Sequence, residues 1–320
     1  MERPRDMDIQ KFEVFLKIIE TGSLTRAADM MDYTQSAVSH AISTLESEFN
    51  VRLLVRDRSG VKLTSDGRAL LPYIRSVINA YREFQNKTAA INNLDYGSIR
   101  IGTFTSIAVH WLPHILNGFR EQHPAISFEI KQGNYAQICQ WILDGTVDCG
   151  FTIAPQIRGI HHILLAEDRL FAIYPPGHPL DSRSKIYPED MSQYPFILVD
   201  EGDDAMIRMF FEQQGIDLNI QYRVVDDYAV VSMVEGNLGI SVCPELFFNR
   251  LPFRVNHKPL ETDFRRKLCI SCKENYQQSP PVVRFMDYVQ QWAATRSMSA
   301  EQRHFDVIRQ LNRTKSSHEF

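Results

Sequence analysis

The stretch Ser23–Phe49, SLTRAADMMDYTQSAVSHAISTLESEF, constrains this chain more than any other. Leu24, Ala27, Ala28 and Met31 fall at i, i+3, i+4 and i+7, one face of a short helix, with Ser23 placed to cap it. Asp32 and Tyr33 break that pattern, and Thr34 is placed to cap a second helix whose apolar face is Val38, Ile42, Leu45 and Phe49. Two amphipathic helices with so short a turn between them close face to face. That is a helix-turn-helix, whose second helix reads the major groove of DNA. The outward side of this second helix holds Gln35, Ser36, Ser39, His40 and Ser43, with no acidic residue before Glu46. Glutamine can bond an adenine edge through two atoms, and serine reaches bases or phosphates. The competing reading is a helical hairpin whose polar side is merely solvated.

The flanking segments complete the motif. Ile9, Phe12, Phe15, Leu16 and Ile19, behind a capping Asp8 and before Thr21-Gly22, supply a third helix. After Phe49, VRLLVRDRSGVKLT places β-branched residues on both sides of Asp57-Arg58-Ser59-Gly60, a hairpin signal. Arg52, Arg56, Arg58, Lys62 and Arg68 outnumber Asp57 and Asp66 there. A basic hairpin beside a recognition helix is a wing suited to phosphate or minor-groove contact. The net charge of −4 means that any nucleic-acid binding is local and not driven by bulk charge.

Thr64-Ser65-Asp66-Gly67 opens a long helix in which Leu70, Ile74, Val77, Tyr81, Phe84, Thr88 and Ile91 keep a heptad spacing. The polar flanks Arg75, Arg82, Glu83 and Lys87 suit a coiled coil, so a second copy of this helix is the expected partner; packing on the chain's own body is the alternative. Asn92–Gly97 ends the helix. Strand-like SIRIG, ISFEIKQ, VDCGFTI, LFAIY, PFILV, IQYRVV, GISVC and RKLCISC then alternate with helical Tyr135–Leu143, Ala205–Gln214 and Tyr228–Glu235. That alternation predicts α/β sheets with ligands at the carboxyl ends of the strands. The boundaries read from these changes are 7–64 for the winged module, 65–94 for the linker helix, 97–296 for the α/β part, as one domain or two lobes, and 297–320 for a polar tail.

The 320 residues call for two or three domains, and 44% hydrophobic residues supply their cores. No apolar run reads as a signal peptide or reaches the length of a membrane span. Five cysteines give no complete disulfide framework, so a cytoplasmic protein is expected. His110 and His114 have zinc-pair spacing, but Pro113 separates them and the zinc-protease glutamate is missing. Cys269 and Cys272 have redox spacing but sit inside a strand. No metal, cofactor or catalytic residue is assigned, and an enzyme is not expected.

Several motifs together resemble the LysR-type transcriptional regulators. They are Phe12…Phe15, Gly22-Ser23-Leu24-Thr25-Arg26-Ala27-Ala28, Thr34-Gln35-Ser36-Ala37-Val38-Ser39, Ile42…Leu45-Glu46, Leu53-Leu54-Val55-Arg56 and Leu63-Thr64…Gly67. Beyond residue 95 the likeness rests on architecture and on Arg100-Ile101-Gly102, Asp144-Gly145…Asp148 and Val234…Gly236…Gly239-Ile240…Pro244. The resemblance implies a winged helix-turn-helix, a dimerising linker helix and a two-lobed α/β effector domain like the periplasmic binding proteins. The lobes would be 97–164 with 266–296, and 165–265. It also implies a small-molecule effector between the lobes, a homodimer or homotetramer, double-stranded DNA as partner, and RNA polymerase if the protein activates.

Carried over by position, Gln35, Ser36, Ser39 and His40 on the helix and Arg56 in the wing are expected DNA contacts, with Thr34 and Arg58 beside them. Thr103, Thr105 and Ser106 match effector-contacting positions, Thr152 lies near another, and Asp200 and Asp226, which follow strands, are expected to face the same cleft. The helix start after Gly102 reads as a place for an anion or carboxylate, against the plainer reading of Thr and Ser as caps. Asp200 and Asp226 would oppose a dianion and suit an amino or hydroxyl group. His40 stands where the family commonly has Arg or Lys. Neutral histidine lacks the bidentate guanine contact, so binding through this position is expected to be weaker or pH-sensitive. The alternative function is a small-molecule-binding or catalytic α/β protein with an appended helical interaction module.

Overall fold

The structure is a computed structural model that describes residues 8–57, 60–91, 96–154, 157–199, 206–250, 252–274 and 279–296. Arg58, Asp200 and the tail 297–320 lie outside the described residues. The chain forms two compact units, Met1–Asn92 with Asp144–Thr146, and the remainder.

In the first unit, α1 (Ile9–Thr21), α2 (Leu24–Met30) and α3 (Gln35–Phe49) enclose a core in which Phe15, Ile18, Ala27, Val38, Ile42 and Leu45 are buried. Each helix starts at a side-chain cap. Asp8 accepts from the Gln10 N–H at 3.0 Å, Ser23 from Arg26 at 3.4 Å and Thr34 from Ala37 at 3.2 Å. Gly22, at φ +65°, ends α1 in the left-handed conformation that glycine adopts without strain. Phe49, the last member of the predicted apolar face, is 52% exposed, because α3 stops there and Asn50 turns the chain away.

Strands β1 (Leu54–Asp57) and β2 (Gly60–Leu63) pair antiparallel as the wing. Glu46 ties it to α3: its Oε1 accepts from the Leu53 and Leu54 N–H groups at 2.7 and 3.0 Å. The long helix α4 (Ser65–Ile91) begins under a Thr64 cap, which accepts from the Gly67 N–H at 2.8 Å. Gly67 lies so close to Leu53 that a Cβ there would come within 2.2 Å of its carbonyl oxygen.

The heptad seam does not act as one surface. Ile74 is buried in the head core, with Leu70 and Val77 packed against it, and so is Ile78, which lies off the seam. The three-helix head covers the first turns of α4 and takes that half of the seam. Tyr81, Phe84 and Ile91 beyond it are exposed, Phe84 and Ile91 by about two-thirds or more.

The second unit has two lobes. Lobe I is a five-stranded sheet in the order β4-β3-β5-β12-β6. Its strands are β3 (Tyr96–Thr103), β4 (Ala125–Gln132), β5 (Cys149–Ile153), β6 (Ile160–Asp168) and β12 (Arg266–Lys273). β3 runs parallel to β4 and β5, whereas β12 is antiparallel to β5 and β6. Helices α5 (Thr105–His110), α6 (Leu112–Gln122), α7 (Tyr135–Leu143) and α10 (residues 280–296) flank it. Lobe II holds β7 (Leu170–Tyr174) between β10 (Ser241–Pro244) and β11 (Asn256–Pro259), and a parallel pair of β8 (Phe196–Val199) with β9 (Ile220–Val224). A Phe196–Ile240 bridge joins the two sheets, and α8 (Met206–Gln213) and α9 (Asp227–Glu235) complete the lobe. The chain crosses between lobes after β6 and returns before β12. Asp168 and Arg266 face each other at that double crossing.

Candidate functional sites: a recognition helix and an interlobe cleft

Thr34, spent as the cap of α3, also lies 3.0 Å from the Ser36 hydroxyl and so fixes the first turn of the helix. Gln35, Ser36, His40 and Ser43 are exposed on its outer side. The wing reaches the same surface: Arg56 donates from Nη2 to the Ser39 hydroxyl at 3.1 Å. Polar donors of the helix and a cation of the wing thus share one face. The arrangement can present amide and hydroxyl groups to base edges and a guanidinium to a phosphate.

In the second unit a cleft of about 400 Å³ opens between the lobes. Four of its walls are turns that follow the carboxyl ends of parallel strands. β3 leads to Phe104, Thr105 and Ser106, and β4 to Gln132, Asn134 and Tyr135. β8 ends at Val199, and β9 leads to Val225, Asp226 and Asp227. Parallel strand ends are where α/β folds place ligands, because side chains and free backbone groups converge there.

The floor of the cleft is Arg266, 2% exposed. Its Nη2 bonds the Asp168 carboxylate, and its Nη1 donates to Tyr135 Oη at 3.1 Å and Ser106 Oγ at 3.3 Å. Burial works against its charge, and Tyr135 and Asp168 more than offset that, holding the guanidinium protonated. Asp168 also accepts from the Leu246 N–H at 3.2 Å, so the pair fastens both crossing strands to lobe II. Above it Thr105 accepts from Gln132 Nε2 at 3.2 Å and bonds Asp227 across the cleft. Burial raises the Asp227 pKa, the Thr105 bond and Arg266 pull it down, and Asp226 pushes it up. Asp226 caps α9, accepting from the Ala229 N–H at 2.8 Å.

Thr105, Ser106 and Asp226 therefore line the cleft. Thr103 and Thr152 do not: both are fully buried in the lobe I sheet. Thr103 turns its hydroxyl to the Phe104 carbonyl, and Thr152 bonds Ser271 at 2.6 Å and His162 at 3.1 Å. The start of α5, Thr105 and Ser106, does face the cleft, but the helix is short. α5 has six residues before the chain kinks at Trp111 ahead of Pro113, too short a run of aligned peptides for a strong terminal field. Arg266 and Asp227 are cleft residues that the sequence pattern does not single out. The available signal is slight: a charged residue heading an otherwise apolar strand, or standing second in an Asp-Asp pair after one.

The five cysteines are buried, and burial raises the pKa of every one of these thiols. Among the described residues, no group of three or more His, Cys, Asp or Glu is placed to hold a metal ion, and no helix is long and apolar enough to cross a membrane.

Comparison with known proteins agrees with this geometry. Residues 9–68 match the bacterial regulatory helix-turn-helix protein, lysR family, and residues 92–294 match the LysR substrate binding domain. An uncharacterised HTH-type transcriptional regulator, YvbU of Bacillus subtilis (strain 168), is 32% identical over 77% of this chain and 84% of its own length. The structure of full-length CbnR complexed with its target DNA aligns with a TM-score of 0.64 at 19% identity, covering 89% of this chain and 99% of that one. The effector binding domain of QuiR in complex with shikimate aligns at 0.57 and 22% identity, covering 62% of this chain and 98% of that one. With a matched family domain over most of its length, a winged head and a two-lobed body, the chain belongs to the LysR family of helix-turn-helix transcriptional regulators.

Proposed function

We propose that this regulator binds double-stranded DNA through α3 and its wing, and that a small molecule held in the interlobe cleft controls that binding. The observation that carries the first half is the shared face of Gln35, Ser36, Ser39 and Arg56. Gln35, Ser36, Ser39 and His40 supply base and phosphate contacts. Arg56 leaves Ser39 for the DNA backbone, and Thr34 acts by holding the first turn. The second half is supported by the cleft itself, whose volume and convergent polar groups suit a small polar ligand.

The functional unit is a homodimer, and two dimers make a tetramer. Tyr81, Phe84 and Ile91 are exposed apolar residues of the later half of α4 that a second copy would cover. Two copies put two recognition helices on two half-sites. The cleft serves binding and not catalysis, the protein works in the cytoplasm, and RNA polymerase is a further partner where it activates. An effector acts by preferring one arrangement of the assembly, since equal affinity for both shifts nothing.

Footprinting upstream of the protein's own gene, with and without candidate effectors, tests the reading. A protected pair of half-sites whose pattern changes with effector supports it. A chain that stays monomeric and ignores duplex DNA at low salt refutes it. DNA affinity should also fall as salt rises, because phosphate contacts release counterions.

A further inference from the structure

The charges around the cleft restrict what can enter it. Among the described residues, Arg266 is the basic side chain lining it, and that charge is already matched by Asp168. Asp226 and Asp227 both line the opposite wall. A ligand bearing only negative charge would face two carboxylates and a guanidinium that is no longer free, an arrangement that rejects it.

We propose that the effector is a small zwitterion with an apolar body, an amphipathic amino acid or a close analogue, whose ammonium group sits on Asp227 and Asp226 and whose carboxylate is held at the Arg266 end. This rests on the reading above that a small molecule occupies the cleft. Asp227 is bonded by the Thr105 hydroxyl, a single donor, whereas a carboxylate has about four acceptor sites. An ammonium group brings three N–H donors and a full charge to that spot. At the other end the Ser106 hydroxyl lines the cleft and accepts from Arg266 Nη1, so its own O–H can donate to a ligand carboxylate. Ser106 and Tyr135, whose hydroxyls hold the same guanidinium, stand beside that position. Between the two ends Val199, Ile207 and Val225 form an apolar wall, which suits an aliphatic or aromatic side chain.

Four compounds sharing one body test this with the full-length protein: L-phenylalanine, phenethylamine, 3-phenylpropanoate and 2-phenylethanol, with the corresponding leucine series in parallel. Thermal shift and calorimetric titration are the readouts. The amino acids are expected to bind best and the free amines more weakly, with no binding by the acids or alcohols. Asp227→Asn should weaken amino-acid binding about tenfold or more, the loss expected for a charge-assisted contact. If the acids bind as well as the amino acids, and Val225→Trp, which fills the cleft, abolishes that binding, the cleft reading stands and the zwitterion is wrong. If amino-acid binding is unchanged in Asp227→Asn, the assignment of the ammonium end is overturned. If neither series nor a panel of sugars and dicarboxylates binds a protein that melts cooperatively and still binds DNA, both readings fail.

Discussion

The recognition helix and the cleft are both polar binding surfaces, yet they are built in opposite ways. The outer face of α3 comes from one contiguous stretch, and Gln35, Ser36 and His40 stand in water. The cleft is assembled from turns between Phe104 and Arg266, and its polar groups are already bonded to one another: Arg266 to Asp168, Thr105 to Gln132 and Asp227. A solvated surface gives up little stability to stay ready for DNA. A buried polar site must satisfy its own charges before the ligand arrives. Substitutions on the helix should therefore change affinity alone, while substitutions on the cleft floor should change stability as well.

The largest effect is expected at Arg266. Replacing it by methionine strands a buried carboxylate, Asp168, and removing one partner of a buried pair costs about 3–5 kcal/mol. Calorimetry should show the transition of the second unit moving down, with that of the head unchanged. Combining it with Asp168→Leu should recover much of the loss. An Arg266→Met protein that melts like the parent would erase the contrast between the two surfaces.

On the helix, Gln35→Ala should cost about 1–3 kcal/mol of discrimination at one base pair while leaving the melting temperature unchanged. Competition binding against operators varied at single positions measures this. Arg56→Ala should have a smaller and less selective effect. Affinity should fall for all sequences alike, and the slope of log affinity against log salt should shrink by about 1. A selective loss at one base would instead make Arg56 a base reader.

The same contrast separates the features that are legible in the amino-acid sequence from those that are not. The spacing of Val38, Ile42 and Leu45 and the cap at Thr34 are local properties, and all four residues do what the spacing implies. Strands with continuous apolar runs, such as Phe196–Val199, are legible for the same reason. β6 and β11 are not. Both lie at the edge of their sheets, on β12 and β7 respectively, and HHILLAED and NHKP carry no clear alternation to mark a buried face. The heptad from Leu70 to Ile91 is real as a spacing, but spacing does not say which partner covers each turn, and the head claims Ile74 and Ile78. The cleft is the least legible part. Arg266 meets Asp168 across 98 positions, and Asp227 meets Thr105 across the lobes, so neither role has a local signature. Thr103 and Thr152 sit near the ends of strands that border the cleft lobe, but the strand alternation turns them into the sheet interior.

The smallest expected effect is also the one most diagnostic of a site kept at some cost to the fold. Burial raises the Asp227 pKa above that of an unfolded aspartate, so the ionised carboxylate is worse off in the folded ligand-free protein than in the unfolded chain. With a raised acid, the contribution to stability is fully present below the unfolded pKa and is lost as pH climbs through the folded one. At neutral pH Asp227 therefore destabilises the empty cleft. Asp227→Asn, which keeps an acceptor for Thr105 without the charge, should melt slightly higher than the parent at neutral pH. The gap should close as pH falls below the range of an ordinary aspartate, where both proteins carry a neutral side chain. Melting curves of both proteins across that range, without ligand, decide it. A variant less stable than its parent at neutral pH would mean that the carboxylate is fully compensated by Thr105, Arg266 and the first turn of α9. The cleft would then resemble the recognition helix, with nothing held in reserve for a cation.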